Sequence, residues 1–350
     1  MIQKKILIKL VEALWWRKRG QLTFLLFFLI VFSARAGDTL TVTFTGDVLL
    51  DRGVRTRIQY VGIDRLFSAG IRKTFQSSDI VVGNLECPAT KIKSPVFKKY
   101  IFRAEPEWLF DLQRHGFTHL NLANNHSIDQ GRAALLDTKN NIEAVGMIPV
   151  GAGNNMPEAA QPILLATHPR AVYLLVSLRL PLENYAYLPD KACVSQEPID
   201  TLCARINRIR QQEPSAYIIV NLHWGWEHQL IPTPTQRQTA RQLIDAGANC
   251  LIGHHTHTLQ TVEEYKGCRI YYSIGNFIFD QTKPINTRAC IVKLKISRLA
   301  ATVETIPIEI KNCTPHIVTE TKENHSQPLQ KWEELRKTSK NEGGIFSMLD

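Results

Sequence analysis

Apolar runs of strand length alternate along the chain with amphipathic stretches of helical spacing. TLTVTFTGD (39–47) and DIVVGNLE (79–86) read as strands with polar ends. EPEWLFDLQRHG (105–116) has helical spacing and a glycine stop, and it leads into FTHLNLANNH (117–126). QGRAALLDTKNNIEAVG (130–146) is a further helix with a glycine terminator. AYIIVNLHWGWEH (216–228) reads as a buried strand, and TPTQRQTARQLIDAGA (233–248) as a helix feeding NCLIGHHTH (249–257). Such β–α alternation predicts an α/β domain with much of its sheet covered by helices. From about 259 the pattern changes: LQTVEEY, RIYYSIGNFIFD, ACIVKLKIS and TVETIPIEI are strands joined by short turns with no helix between them. They predict a second sheet, or the far half of a two-sheet sandwich, inside one domain. Beyond 312 the chain turns polar; in this 313–350 tail, Pro328–Arg336 offers one short helix with Leu329, Trp332 and Leu335 on a docking face.

Charge changes the picture at one end only. The formal net charge is +10, but residues 1–36 carry seven basic residues against Glu12 alone. That is a net of +6, so the rest of the chain holds only +4 and gives no reason to expect a nucleic-acid partner. In 1–36 a cationic stretch ending RKRG precedes the apolar run Leu22–Phe32, and SARA follows with Ala34 and Ala36 in a small-x-small pattern. This predicts an export signal, cleaved or retained as a membrane anchor, with the remainder outside the cytoplasm. Seven cysteines, none in a CxxC pair, argue against a thiolate zinc site.

The chemistry collects where the apolar runs end. Ligands of open α/β sheets gather at the carboxyl ends of strands. There the sequence places Asp47, then Asn84 and Glu86, Asn125 and His126, His223, and finally His254, His255 and His257. Any one of these has a structural explanation, such as a turn aspartate or a helix cap. Together they predict a metal site, with His255 and His257 on one side of an extended segment. Imidazoles mixed with carboxylate and carboxamide oxygens suit Mn, Fe or Zn. Six or seven ligands exceed what one tetrahedral zinc takes, and so predict two ions sharing a carboxylate, which generate a hydroxide nucleophile near neutral pH.

The ordered motifs FTGDVLLDR, DIVVGNLECP, NLANNHSIDQG, NLHWGWEH, LIGHHTHTLQ and YYSIGNFIFDQ, spread over roughly 40–300, resemble the capsule-type poly-γ-glutamate synthesis proteins (CapA or PgsA type). These form a branch of the calcineurin-like metallophosphoesterase superfamily. The resemblance implies a four-layer α/β/β/α sandwich over 37–312. It also implies metal ligation by Asp47, Glu86 as the bridging carboxylate, Asn125, His223, His255 and His257. His126 would be the acid that protonates the leaving oxygen, oriented by Asp129. Asn84, Arg52, Glu227, His254, Asn276 and Asp280 would support the ligands or meet substrate. One departure stands out: the superfamily's first motif is Asp-x-His, and Leu49 occupies the position of that histidine. His254 is the candidate to replace it.

Three functions follow. The first is metal-assisted hydrolysis or transfer at a phosphoester, with amide cleavage in an anionic polymer as a variant. The second is a non-catalytic metal-binding subunit of a membrane-associated synthesis and export machine that handles anionic poly-γ-glutamate. The third is an exported structural protein with a vestigial site, against which the retained polar strand ends argue.

Overall fold

A computed structural model describes residues 39–180 and 190–318. The expected signal or anchor and the expected helix at 328–336 lie outside them. Among the described residues no helix is long and apolar enough to cross a membrane. All seven cysteines are unpaired.

Two sheets face each other. The first half of the chain lays down β1 (Thr39–Val48), α1 (Arg52–Val61), a 3₁₀ turn (Ile63–Leu66), α2 (Ala69–Gln76), β2 (Ile80–Leu85), α3 (Trp108–Arg114), β3 (His119–Asn121), α4 (Gly131–Ala144) and β4 (Ile148–Val150). Here β1, β2, β3 and β4 are parallel neighbours in that order. A small excursion follows through β5 (Ala152–Gly153), α5 (Met156–Ala159), β6 (Ile163–Ala166), β7 (Val172–Arg179) and β8 (Cys193–Val194). Then come α6 (Ile199–Gln212), β9 (Tyr217–Trp224), α7 (Pro234–Asp245), β10 (Cys250–His254), β11 (Val262–Tyr265), β12 (Cys268–Tyr271), β13 (Asn276–Ile278), α8 (Pro284–Thr287), β14 (Arg288–Ser297), β15 (Ala301–Lys311) and β16 (Thr314–Ile317). The first sheet runs β16-β15-β14-β1-β2-β3-β4, with β13 also on β1; the second runs β11-β12-β10-β9-β7-β6.

Three hydrophobic clusters make this a four-layer α/β/β/α sandwich. Strand alternation sends Val81 outward to pack with Ile71 and Phe75 of α2 and Leu109 and Leu112 of α3. Its neighbours Ile80 and Val82 point inward, against Leu174, Val176, Ile219 and Ile252 of the other sheet. On the second sheet's outer face, Ile218, Val220 and Leu222 meet Leu202 and Ile206 of α6 and Ala240 and Leu243 of α7. β9 is buried at all eight positions, as a central parallel strand covered on both faces must be. α7 begins where Thr233 Oγ1 accepts from Gln236 N at 3.1 Å and Gln236 Oε1 accepts from Thr233 N at 3.0 Å, a reciprocal cap with Pro234 in the first turn.

The strand-rich C-terminal part is not a sheet of its own. β11 and β12 extend the second sheet beside β10, while β13 to β16 join the first sheet beside β1. The apolar β14 pairs with β1 from Thr39↔Ser297 to Phe44↔Val292 and gives both sheets their inner lining. A single helical turn, α8, interrupts this strand series. β16 lies past residue 312, where the domain was expected to end. The stretch 117–126 is a strand only over His119–Asn121, because Asn121 Oδ1 accepts from Ala123 N at 2.9 Å and turns the chain out of the ladder.

Candidate metal centre

Parallel register assembles the site. Asn276, Asp47, Asn84 and Asn121 occupy matched positions on β13, β1, β2 and β3, forming one polar row across the first sheet's carboxyl edge. On the second sheet His223 of β9 is paired with His254 of β10. The row is wired side chain to side chain: Asn84 Nδ2 donates to Asp47 Oδ1 at 2.8 Å, and Asn84 Oδ1 accepts from Asn121 Nδ2 at 2.9 Å. Across the gap His254 Nδ1 lies 3.1 Å from Asp47 Oδ1, and His223 Nδ1 lies 3.2 Å from Asn84 Nδ2.

Glu86 follows β2 into this space and is fully buried, yet neither of its carboxylate oxygens has a hydrogen-bond partner. A buried carboxylate without a donor is costly, and a cation is the partner such a group takes. Two sets of potential ligand atoms converge on it, each within 4.8 Å: Asp47, Glu86 and His257, and Glu86, His223 and His255. Glu86 is common to both, which is the arrangement a bridging carboxylate needs. Asn125 Oδ1 lies 2.8 Å from His223 Nε2, beside the second set. The donor set of oxygens and imidazole nitrogens therefore fits divalent ions of the Mn, Fe or Zn type.

The His-rich segment reaches this geometry differently from expectation. β10 ends at His254, and residues 255–258 form a bend in which His255 and His257 hold φ of 91° and 54°. Left-handed backbone at two histidines, not strand alternation, brings their rings to 6.2 Å. Gly253 makes the approach possible, since a Cβ there would lie 1.9 Å from the Tyr272 carbonyl oxygen. His257 Nδ1 faces both Asp47 Oδ2 at 3.3 Å and Asn276 Oδ1 at 2.9 Å. His254 stays outside both ligand sets; its Nε2 is buried without a partner. Leu49 lies fully buried in the outer apolar cluster.

Next to the ligand sets His126 Nδ1 lies 2.7 Å from Asp129 Oδ2, and that oxygen also accepts from Phe102 N at 2.8 Å. The His126–Asp129 pairing that the resemblance implies is thus formed.

Burial dominates the electrostatics. Burial would raise the Asp47 carboxyl, but hydrogen bonds with His254 and His257 outweigh it and hold the group well below the usual carboxylate range. Burial and then the Asp47 charge push Glu86 well above its ordinary value. His257, despite burial, is pushed up to about 9 by Glu86 and Asp47. His255 is lowered to about 3 by burial and the neighbouring His257, and His223 is lowered well below its ordinary value by burial and His255. Burial also lowers His126, with Asp129 opposing.

Arg52 and Asp280 pair with each other at the edge of the site, whereas Glu227 is exposed and reaches no ligand atom, its nearest partner being His228 at 3.7 Å. Several participants were not singled out in the sequence. Asn121 and Asn124 both donate to Asn84 Oδ1, and Asn286 Nδ2 donates to the His257 carbonyl at 2.8 Å. Lys98 Nζ donates to the Asn125 carbonyl at 2.7 Å. The asparagine run NLANN carried a signal for the first two; Lys98, in a loop, and Asn286, in the single turn α8, had none.

Comparison with known proteins agrees with this architecture. The model of the bacterial capsule synthesis protein PGA_cap family matches residues 41–281. The capsule biosynthesis protein CapA of Bacillus anthracis is 30% identical over 293 residues, covering 81% of this chain and 71% of that protein. The PGA biosynthesis protein CapA of Bacillus subtilis (strain 168) is 30% identical over 282 residues, covering 79% and 73%. A solved Staphylococcus aureus structure that carries the 5′-nucleotidase name superposes with a TM-score of 0.51 at 14% identity, over 86% of this chain and 58% of that one. That likeness is one of fold.

Proposed function

The chain belongs to the bacterial capsule synthesis protein PGA_cap family, and we propose that it serves poly-γ-glutamate capsule synthesis or export through a metal-dependent hydrolase site of the phosphoesterase kind. The observation that carries this reading is Glu86, buried, without a hydrogen-bond donor, and common to two convergent ligand sets. Asp47, Glu86 and His257 would hold one divalent ion, and Glu86, His223 and His255 a second, with Asn125 beside it. Bound there, such ions supply Lewis-acid polarisation and an activated water.

The chain's own residues do the remaining work. Asp129 holds His126 by Nδ1, fixing the ring so that its Nε2 edge, protonated when the ring is an imidazolium, is the one that can give a proton to a departing oxygen. Phe102 packs on the His126 ring, centroids 4.2 Å apart, and keeps water from that face. Asn84 and Asn276 hold Asp47 and His257 in place from behind. The substrate is a phosphoester or, by the same displacement chemistry, an amide of an anionic polymer. The basic and apolar stretch in 1–36 supports an extracytoplasmic setting, with the chain secreted or anchored.

One observation favours a second reading. With Leu49 in the core where the superfamily has a histidine, the first ion has fewer ligands, which suits a metal-binding subunit of a membrane-associated polymer synthesis and export complex that does not turn over. Elemental analysis of the purified chain, with assays on an aryl phosphodiester and monoester in added Mn, separates the two. Bound metal with turnover lost in His126→Ala supports the hydrolase; bound metal without turnover supports the subunit. A folded chain that takes up no metal refutes both.

A further inference from the structure

Arg52 stands at the edge of the metal centre. Its backbone φ of 50° is a left-handed conformation that few L-residues adopt. The guanidinium carbon lies 5.0 Å from the centroid of the Phe102 ring and 5.4 Å from that of Phe279. Phe102 packs on His126 at 4.2 Å and Phe279 on His257 at 4.7 Å. One cation thus lies across the two rings that back the proton donor and a ligand. Asp280 accepts from Arg52 Nη2 and, at 3.0 Å, from Gly53 N. It is the one hydrogen-bond partner of the Arg52 side chain among the described residues, which leaves most of the guanidinium's donors for something else. The Arg52 side chain is 36% exposed, while those of His126 and His257 are 6% exposed and that of Glu86 is fully buried. It is therefore a solvent-reachable cation one aromatic ring away from the reacting groups.

We propose that Arg52 is a specificity-determining residue that binds an oxyanion, carboxylate or phosphate, on the substrate segment adjoining the bond held at the metal centre. A planar fork matches either oxyanion through paired N–H bonds, which an ammonium does not. A γ-linked glutamate chain carries such a carboxylate beside every backbone amide. The inference rests on the site reading above but not on turnover.

The test uses the Mn-loaded full chain and fluorescence anisotropy of a labelled γ-linked glutamate oligomer, with its carboxamide counterpart as control and inorganic phosphate as competitor. Arg52→Gln weakens the carboxylate oligomer by about tenfold or more, and Arg52→Lys by less. Asp280→Asn tightens it, because the competing carboxylate is gone. The carboxamide oligomer binds weakly and equally to wild type and Arg52→Gln. Competition by phosphate that disappears in Arg52→Gln identifies phosphate as the ligand; its absence, with oligomer binding intact, identifies carboxylate. Unchanged oligomer binding and phosphate competition in Arg52→Gln, with Arg52→Gln and Asp280→Asn equally lowered in Tm, would make the pair a structural clamp and overturn the proposal. So would a wild type that binds neither anion. Aryl phosphodiester turnover is scored separately: its absence alongside Arg52-dependent binding sinks the hydrolase and leaves this inference standing.

Discussion

Glu86 is the residue on which both ligand sets depend, so its removal differs in kind from that of any histidine. Glu86→Gln is expected to deplete metal at both positions at once, whereas His255→Ala and His257→Ala each weaken one set; elemental analysis of the three variants checks this. The metal-free site also stores protons. His257 is pushed up to about 9 by Glu86 and Asp47, so an entering cation displaces its proton at pH 7.5. Titrating Mn by calorimetry in buffers of different ionisation enthalpy should report net proton release, reduced in Glu86→Gln. For His126, replacement by alanine should cost about 10²–10⁴ in turnover of the aryl phosphodiester, the range of a lost general acid, with metal content unchanged. At this scale much was legible: Asp47, Glu86, His223, His255 and His257 were all visible as polar ends to apolar runs. Lys98 was not, because a lysine in a loop acquires meaning only when folding sets its Nζ against the Asn125 carbonyl.

Elements turn such residues into a site through register, and register was the part a single strand could not disclose. Asn84 and Asn121 fall level with Asp47 only because β1, β2 and β3 are parallel and aligned. The segment after His254 misled for a related reason: period two is a property of strands, and the backbone had already left the strand at His255. β3 supplies a pH test independent of the metal centre. Its His119 is buried and lowered by burial to about 4. The unfolded chain therefore binds a proton that the folded chain refuses. The stability this group contributes is complete above about pH 6.5 and is lost as pH falls from there through about 4. Denaturant midpoints measured at pH 7 and pH 4.5 should drop less in His119→Gln than in wild type.

Across the whole molecule, Asp47 and Glu86 come from the first sheet, while His223, His255 and His257 come from or follow strands of the second. Metal bound there would crosslink the sandwich, and chelation should then lower Tm in wild type while leaving metal-free Glu86→Gln unmoved. An α/β domain with helices over its sheet was legible from β–α alternation and the four-layer sandwich from the family resemblance, but the division of the last strands between two sheets was not, since it depends on which edges remain open. β16 belongs to that division. A chain ended at 312 should melt several degrees below one ended at 318, as thermal melts would show. The placement of β1 carries a consequence for synthesis. It is made before every other described strand, yet its partner β14 is made near the end, with Thr39 paired opposite Ser297. Until then one edge of β1 has no strand beside it, and before β10 and the bend after it are made Asp47 has neither His254 nor His257 to balance its charge. Completing the first sheet thus waits until nearly the last strand is made, a long-range pairing of the kind that slows folding, and the candidate metal ligands stay apart until then.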